Sequence, residues 1–135
     1  MLTLSQSHLD AMIEQAKQAH PIESCGLIAG PWGSDQAVEL IPMINSAESE
    51  VFFRFDSKQQ FRVWREMDDK DQEPVVIYHS HSASRAYPSR DDLAFTVSPR
   101  THHVIVSTDP EHQFEVRSYR YINGRAVEET IKIIQ

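Results

Sequence analysis

Disulfide chemistry is absent from this chain of 135 residues, because its one cysteine, Cys25, has no intramolecular partner. A disulfide scaffold is thereby excluded, and a reducing compartment is the expected setting. Basic residues are scarce: 13 Lys and Arg stand against 20 Asp and Glu, for a formal charge of −7. With no cationic surplus to neutralise phosphates, a nucleic-acid partner is not expected. Long apolar runs are missing too, and a stretch such as Val75-Val76-Ile77-Tyr78 is far too short to cross a bilayer. The opening segment MLTLSQSHLD has neither a basic start nor an apolar stretch, so no signal peptide is expected and the cytoplasm is the expected location. There is no internal repeat and no low-complexity tract. The length fits one domain over residues 1–135, large enough for a real core. What the chain has in quantity is histidine, seven in all.

Apolar spacing predicts the elements. Leu2 and Leu4 alternate with polar residues, as in a short strand. From about Ser7, Leu9, Met12, Ile13, Ala16 and Ala19 recur with helical period, and Pro21 ends that helix. Cys25 to Gly30 reads as a buried strand, with Ala37 to Ile41 its antiparallel neighbour across a turn at Gly33-Ser34-Asp35. Val51 to Phe55 is a further strand candidate. Asp56 or Ser57 then caps a helix whose inner face is expected to carry Phe61, Trp64 and Met67, and Asp68 to Asp71 form its solvated end. Pro74 to Tyr78 has the unbroken β-branched character of a central strand, repeated from His103 to Val106. Asn123-Gly124 between two extended stretches, Phe114 to Ile122 and Arg125 to Ile134, signals a hairpin. Helices among strands, ending in a hairpin, indicate a layered α/β or α+β domain.

The chemistry concentrates at the end of the central strand, in Tyr78-His79-Ser80-His81. Alternate strand side chains face the same way, so His79 and His81 present two imidazoles on one face. Ser89 and Asp92 follow, and an Asp in the first turn of a helix starting at Ser89 is placed to supply a third ligand. Two His and one carboxylate leave a tetrahedral zinc an open position, as catalytic sites require. Taken alone, the pattern has an ordinary explanation. About 0.4 His-x-His pairs are expected by chance at this histidine frequency. Ser89 to Asp92 is also a capping box, the commoner role for such a pair. Capping and metal binding are compatible, since Ser89 can start the helix while Asp92 faces an ion.

His79-Ser80-His81, seven intervening residues, Ser89, two more and Asp92 together resemble the JAMM (MPN-plus) metalloprotease signature. That signature includes an upstream glutamate at a helix–strand junction, and Glu23 stands just before the first buried strand. Fixed offsets for Ser and Asp lower the chance expectation to a few per thousand. The resemblance implies zinc held by His79, His81 and Asp92, with water as fourth ligand. It implies Glu23 as general base and Ser89 as donor to the oxyanion of the tetrahedral intermediate. It also implies a cytidine-deaminase-like mixed central sheet flanked by helices. Taken without the downstream motif, Glu23 is an ordinary helix-terminal surface acid.

The segments His20 to Gly26, Arg65 to Asp69, Glu73 to His81 and Tyr87 to Arg90 are similar to the bacterial stand-alone Mec peptidases. Those enzymes act on ubiquitin-like sulfur-carrier proteins ending in Gly-Gly. Some release cysteine from a carrier–cysteine adduct, and relatives trim extra residues from a carrier precursor. The chain departs from the pattern at Ser82, often Thr, and at Arg85, often acidic, neither being a ligand position. A Gly-Gly tail has no side chains to read, so it is expected to pair as a strand at a sheet edge, with Val51 to Phe55 the candidate edge. A cysteine leaving group carries a carboxylate, for which Arg85 and Arg90 are the candidate partners. Cys25 opens a buried strand and reads as an inert core residue rather than a nucleophile. Two other classes share the ligand set: a zinc-binding MPN interaction module without catalysis, and an iron(II) oxygenase. Metal analysis and cleavage of a carrier fusion discriminate among them.

Overall fold

Residues 1–95 and 98–135 are described by a computed structural model. Strand β1 (Leu2–Ser5) runs directly into helix α1 (Gln6–Ala19), which Ser5 opens by accepting the His8 amide at 3.1 Å. Helix α1 stops just short of Pro21, as its sequence predicts. The strands that follow are β2 (Cys25–Pro31) and β3 (Glu39–Met43), then helix α2 (Ser57–Asp69), capped by Asp56, and strand β4 (Gln72–His81). A five-residue helix α3 (Arg90–Ala94) links β4 to β5 (His102–Ser107), and β6 (Val116–Ile122), β7 (Arg125–Glu129) and β8 (Ile131–Ile134) complete the chain.

Six strands form one sheet in the order β3-β2-β4-β5-β6-β7. Only the central β4–β5 pair is parallel; the other neighbours are antiparallel. The sheet is therefore mixed and flanked by helices, as the resemblance implies. Alternation along β4 sorts its side chains between the two layers. Val76 and Tyr78 join Met12 and Ala16 of α1, together with Leu2 and Leu4, in one core. Ile77 joins Leu27, Met43, Val63 and Met67 of α2 in the other. His79 and His81 share the Ile77 parity and open onto the α2 layer. Tyr78 lies across Gly26, where any Cβ would collide with its ring, and its hydroxyl donates to Gln15 of α1. A side chain at Gly26 would push the central strand away from its helix.

Three sequence expectations change. Val51–Phe55 is not a ladder strand; among the described residues its one bridge is Asn45 with Phe55. Its backbone is claimed by one side chain: Asn45 donates to the Phe52 and Glu23 carbonyls and accepts the Ala47 and Arg54 amides, all at 3.0–3.1 Å. The alternation survives without the ladder, with Phe53 and Phe55 buried and Val51 exposed. In α2, Phe61 is 66% exposed rather than inward. Six residues at about 100° each turn it roughly 120° from Met67, and Val63 occupies the inner stripe instead. Trp64 is partly buried against that core, as expected. Finally, Arg125–Ile134 is two strands. The Asn123-Gly124 turn forms with both residues at positive φ, but the chain leaves β7 at Thr130, and β8 pairs in parallel with β1.

His102 and His103 turn to opposite faces of the sheet, and His102 is wholly buried. It bridges two carboxylates, Glu129 through Nδ1 and Asp35 through Nε2, each at 2.6 Å. Ser118 donates to the same Glu129, and the Met1 ammonium lies 3.2 Å from it. Burial alone would lower the His102 pKa, but the two carboxylates outweigh it and raise it above 6.5. Burial likewise opposes ionisation of Glu129, yet His102 and Ser118 hold it down at about 2. A raised imidazole stabilises the fold fully below pH 6.5 and loses that contribution as pH climbs through the folded value. A depressed carboxyl contributes above pH 4.5 and loses it as pH falls toward about 2. The His102–Glu129 pair is thus expected to contribute most from about pH 4.5 to 6.5, so that the difference in urea stability between wild type and His102→Gln is greatest in that window and narrows on the alkaline side. Separately, Asn45→Ala orphans four backbone groups and is expected to cost about 2–4 kcal/mol, read by the same denaturation.

Candidate active site

The site begins with strand register. Cys25 of β2 sits opposite His79 of β4. One residue earlier, the Ser24 amide donates to Ser80 Oγ at 2.8 Å, and the Ser80 amide returns a bond to the Ser24 carbonyl at 3.0 Å. Continuing that pairing sets Glu23 against His81 on the histidine face. The Glu23 backbone is pinned on both sides, its amide donating to Ser49 and its carbonyl accepting from Asn45. The side chain has no such anchor. Glu23 is 4% exposed, and its Oε1 is buried without a hydrogen-bond partner. Burial pushes its carboxyl up to about 8; His81 opposes the rise and Asp92 adds to it.

The two imidazoles and Asp92 close a triangle. His79 Nε2 is 3.1 Å from His81 Nε2, and Asp92 Oδ2 is 3.1 and 3.0 Å from them. Each ring is fixed from behind. His81 Nδ1–H donates to the Arg85 carbonyl at 3.0 Å, which leaves Nε2 to face the centre. His79 stacks on Phe53 with centroids 4.5 Å apart and planes 22° from parallel. Asp92 is held by the capping box at the start of α3: its Oδ2 accepts the Ser89 amide at 2.8 Å, and its own amide donates to Ser89 Oγ at 3.1 Å. Capping and convergence on the imidazoles are thus properties of the same carboxylate. Burial would raise the Asp92 pKa, but His79, His81 and the Ser89 amide together drive it well below the usual carboxylate range.

This donor set fits a metal ion. A tetrahedral ion with bonds of roughly 2.0–2.1 Å separates its nitrogen and oxygen donors by about 3.3–3.4 Å, close to the edges of this triangle. Two buried imidazole nitrogens facing each other and one shared oxygen satisfy their lone pairs poorly by hydrogen bonds alone. A divalent cation satisfies all three. Among the described residues, this is the cluster of His, Cys, Asp and Glu that could hold one.

The other expected residues fall around it. Ser89 is exposed beside Asp92, and its hydroxyl proton is not consumed by the cap, where Oγ acts as acceptor. Arg85 and Arg90 are both exposed, and Arg85 packs over Tyr87, its guanidinium carbon 5.9 Å from the ring centre. Cys25 is buried, and burial pushes its thiol up to about 12, so it is no thiolate nucleophile at neutral pH. Three of the remaining histidines have other partners: His20 bonds Thr108, His112 bonds Asp109, and His103 stacks on Tyr121 at 3.8 Å. A cavity of about 330 Å³ adjoins the triangle, walled by Phe52, Phe53, Arg54, Asp92 and Phe95. A wider depression of about 760 Å³ beside Arg117, Glu128 and Ile131 contains none of the convergent residues. Sequence reasoning placed Phe53 and Arg54 in the candidate tail-pairing edge without individual roles, and it missed Asn45. The alternation of Phe53 and Phe55 turns Arg54 outward, whereas Asn45 carries no signal in spacing.

Known proteins carry the same plan. The family of prokaryotic homologues of the JAB domain matches residues 5–122. CysO-cysteine peptidases of Mycobacterium tuberculosis and Mycobacterium bovis are 45% identical over 135 residues, covering 100% of this chain and 92% of theirs. A solution structure of a Desulfitobacterium hafniense protein superposes with a TM-score of 0.82 at 27% identity, covering 100% of this chain and 94% of its own. A JAB1/MPN domain protein from Archaeoglobus fulgidus gives 0.62 at 25% identity, over 99% and 97%. The fold is also shared, at a TM-score of 0.62 and 22% identity over 100% and 99%, by a protein described as having a JAMM metalloprotease-like zinc site. The chain belongs to the prokaryotic JAB-domain family, as a JAB-type bacterial peptidase.

Proposed function

We propose that this enzyme hydrolyses the amide bond after the C-terminal Gly-Gly of a ubiquitin-like sulfur-carrier protein, releasing cysteine from a carrier–cysteine adduct. The observation that carries the substrate is the full-length 45% identity to peptidases named for CysO-cysteine. The chemistry is supported by the His79, His81, Asp92 triangle with Glu23 beside it. His79, His81 and Asp92 would hold a zinc ion, which would supply Lewis acidity toward the scissile carbonyl and acidify water at the site.

Glu23 takes the proton of the attacking water. Its buried, unpartnered Oε1 is available as an acceptor, and a carboxyl raised toward neutrality both takes and releases a proton near pH 7. The same carboxyl delivers that proton to the departing amine. Ser89 donates its free hydroxyl hydrogen to the developing oxyanion, while the cap holds the oxygen in place. His81 keeps its metal-facing tautomer through the Arg85 carbonyl, and Phe53 holds the His79 ring in plane. The enzyme acts in the cytoplasm, where a buried, lone cysteine stays reduced.

The test is mass spectrometry of carrier adducts before and after exposure to the protein. Wild type is expected to remove one cysteine from a carrier ending Gly-Gly-Cys. Removal only of longer extensions would instead establish precursor trimming. Glu23→Gln is expected to retain one equivalent of zinc by elemental analysis while turnover falls about 10²–10⁴-fold. His79→Ala and Asp92→Ala are expected to lose the metal as well. Full activity in Glu23→Gln would overturn the mechanism, and zinc-loaded wild type without hydrolysis would leave the binding-module reading standing.

A further inference from the structure

The cavity beside Asp92 contains a cation with no ionic partner. Arg54 lines it, is exposed, and makes no salt bridge among the described residues. Its position is nonetheless defined. The Arg54 amide donates to Asn45 Oδ1 at 3.1 Å, its carbonyl accepts the Ser46 amide at 2.8 Å, and its guanidinium carbon lies 5.5 Å from the centre of the Phe52 ring. The next residue toward the site, Phe53, is the one stacked on His79. A backbone anchored on both sides and an aromatic platform leave the guanidinium edge free for a ligand. Asp91 and Asp92 are the opposing charges of the same cavity and disfavour an anion on the α3 side, so a carboxylate is directed to the Arg54 wall. Arg85 and Arg90, the cations expected from the sequence, are not among the residues lining this cavity.

We infer that Arg54 binds the free α-carboxylate of a single-residue leaving group and makes the enzyme selective for carriers extended by one amino acid. This rests on the carrier-adduct reading above. In such an adduct the Gly-Gly side has no charge near the scissile bond. The leaving amino acid has one, its carboxylate, a single residue's length away. In a longer precursor that position is a neutral peptide carbonyl, and the terminal carboxylate lies further out. A cavity of about 330 Å³ is at the small end of ligand sites, which suits one residue rather than a folded partner. Guanidinium and carboxylate pair through two parallel, charge-assisted hydrogen bonds, which gives selectivity through geometry as well as charge.

The experiment compares zinc-loaded enzyme on two carriers differing in one group: one ends Gly-Gly-Cys with a free acid, the other with the cysteine carboxamide. Wild type is expected to favour the acid about tenfold in kcat/KM, mainly through KM. Arg54→Ala brings the ratio to about one, and Arg54→Glu inverts it; Arg85→Ala and Arg90→Ala keep the wild-type ratio. Binding gives a second readout: in a Glu23→Gln background the acid adduct binds more tightly than the amide, and adding Arg54→Ala removes that difference. Equal loss on both substrates in Arg54→Ala, loss of selectivity in Arg85→Ala or Arg90→Ala, or no acid preference in wild type would overturn the assignment while the carrier reading stands. No turnover of either adduct by wild type overturns the carrier reading, and the inference with it.

Discussion

Where β2 lies along β4 determines where the Glu23 carboxyl stands relative to two imidazoles, and the reciprocal Ser24–Ser80 bonds fix that register at its last step. A slip of one residue would turn the histidines to the α1 layer and leave Glu23 on the opposite face. The register is secured well away from the chemistry, by Leu27 and Ile77 packed in one layer and Tyr78 folded over Gly26 in the other. Both cores therefore maintain one alignment. The polar residues at the strand ends are held in place by apolar packing several residues distant.

Around that alignment, polar groups of the site are held by their neighbours. The Arg85 carbonyl orients His81, Phe53 orients His79, the Ser89 amide orients Asp92, and Asn45 holds the Glu23 backbone carbonyl. Asn45 also organises the segment carrying Phe53 and Arg54, so one buried amide connects the Glu23 backbone to a cavity wall. Such arrangements limit reorganisation, because the donors and acceptors already point where charge develops.

The legible part of this protein was the part written in short-range spacing. His79 and His81 share a face because strand side chains alternate, and Asp92 follows from a capping box four residues long. Glu23 was readable through family resemblance rather than spacing, since its approach to His81 depends on a strand pair separated by more than 50 residues in sequence. Val51–Phe55 has strand alternation, but alternation does not reveal where the backbone bonds go; the Asn45 side chain, a few residues upstream, took them in place of a neighbouring strand. Phe61 looked inward because residues three apart drift around a helix, and Val63 lay closer to the true stripe. The division of the C-terminal segment into β7 and β8 required knowing that the chain's two ends meet.

Asp92 has a consequence for how the enzyme matures. Its carboxylate is fixed by the Ser89 amide as part of a helix cap, a local feature that forms with the fold. The entropy of orienting that carboxylate is therefore spent with the cap, so a metal held there would not have to order this donor itself, in contrast to the ion of small zinc domains whose folding waits for it.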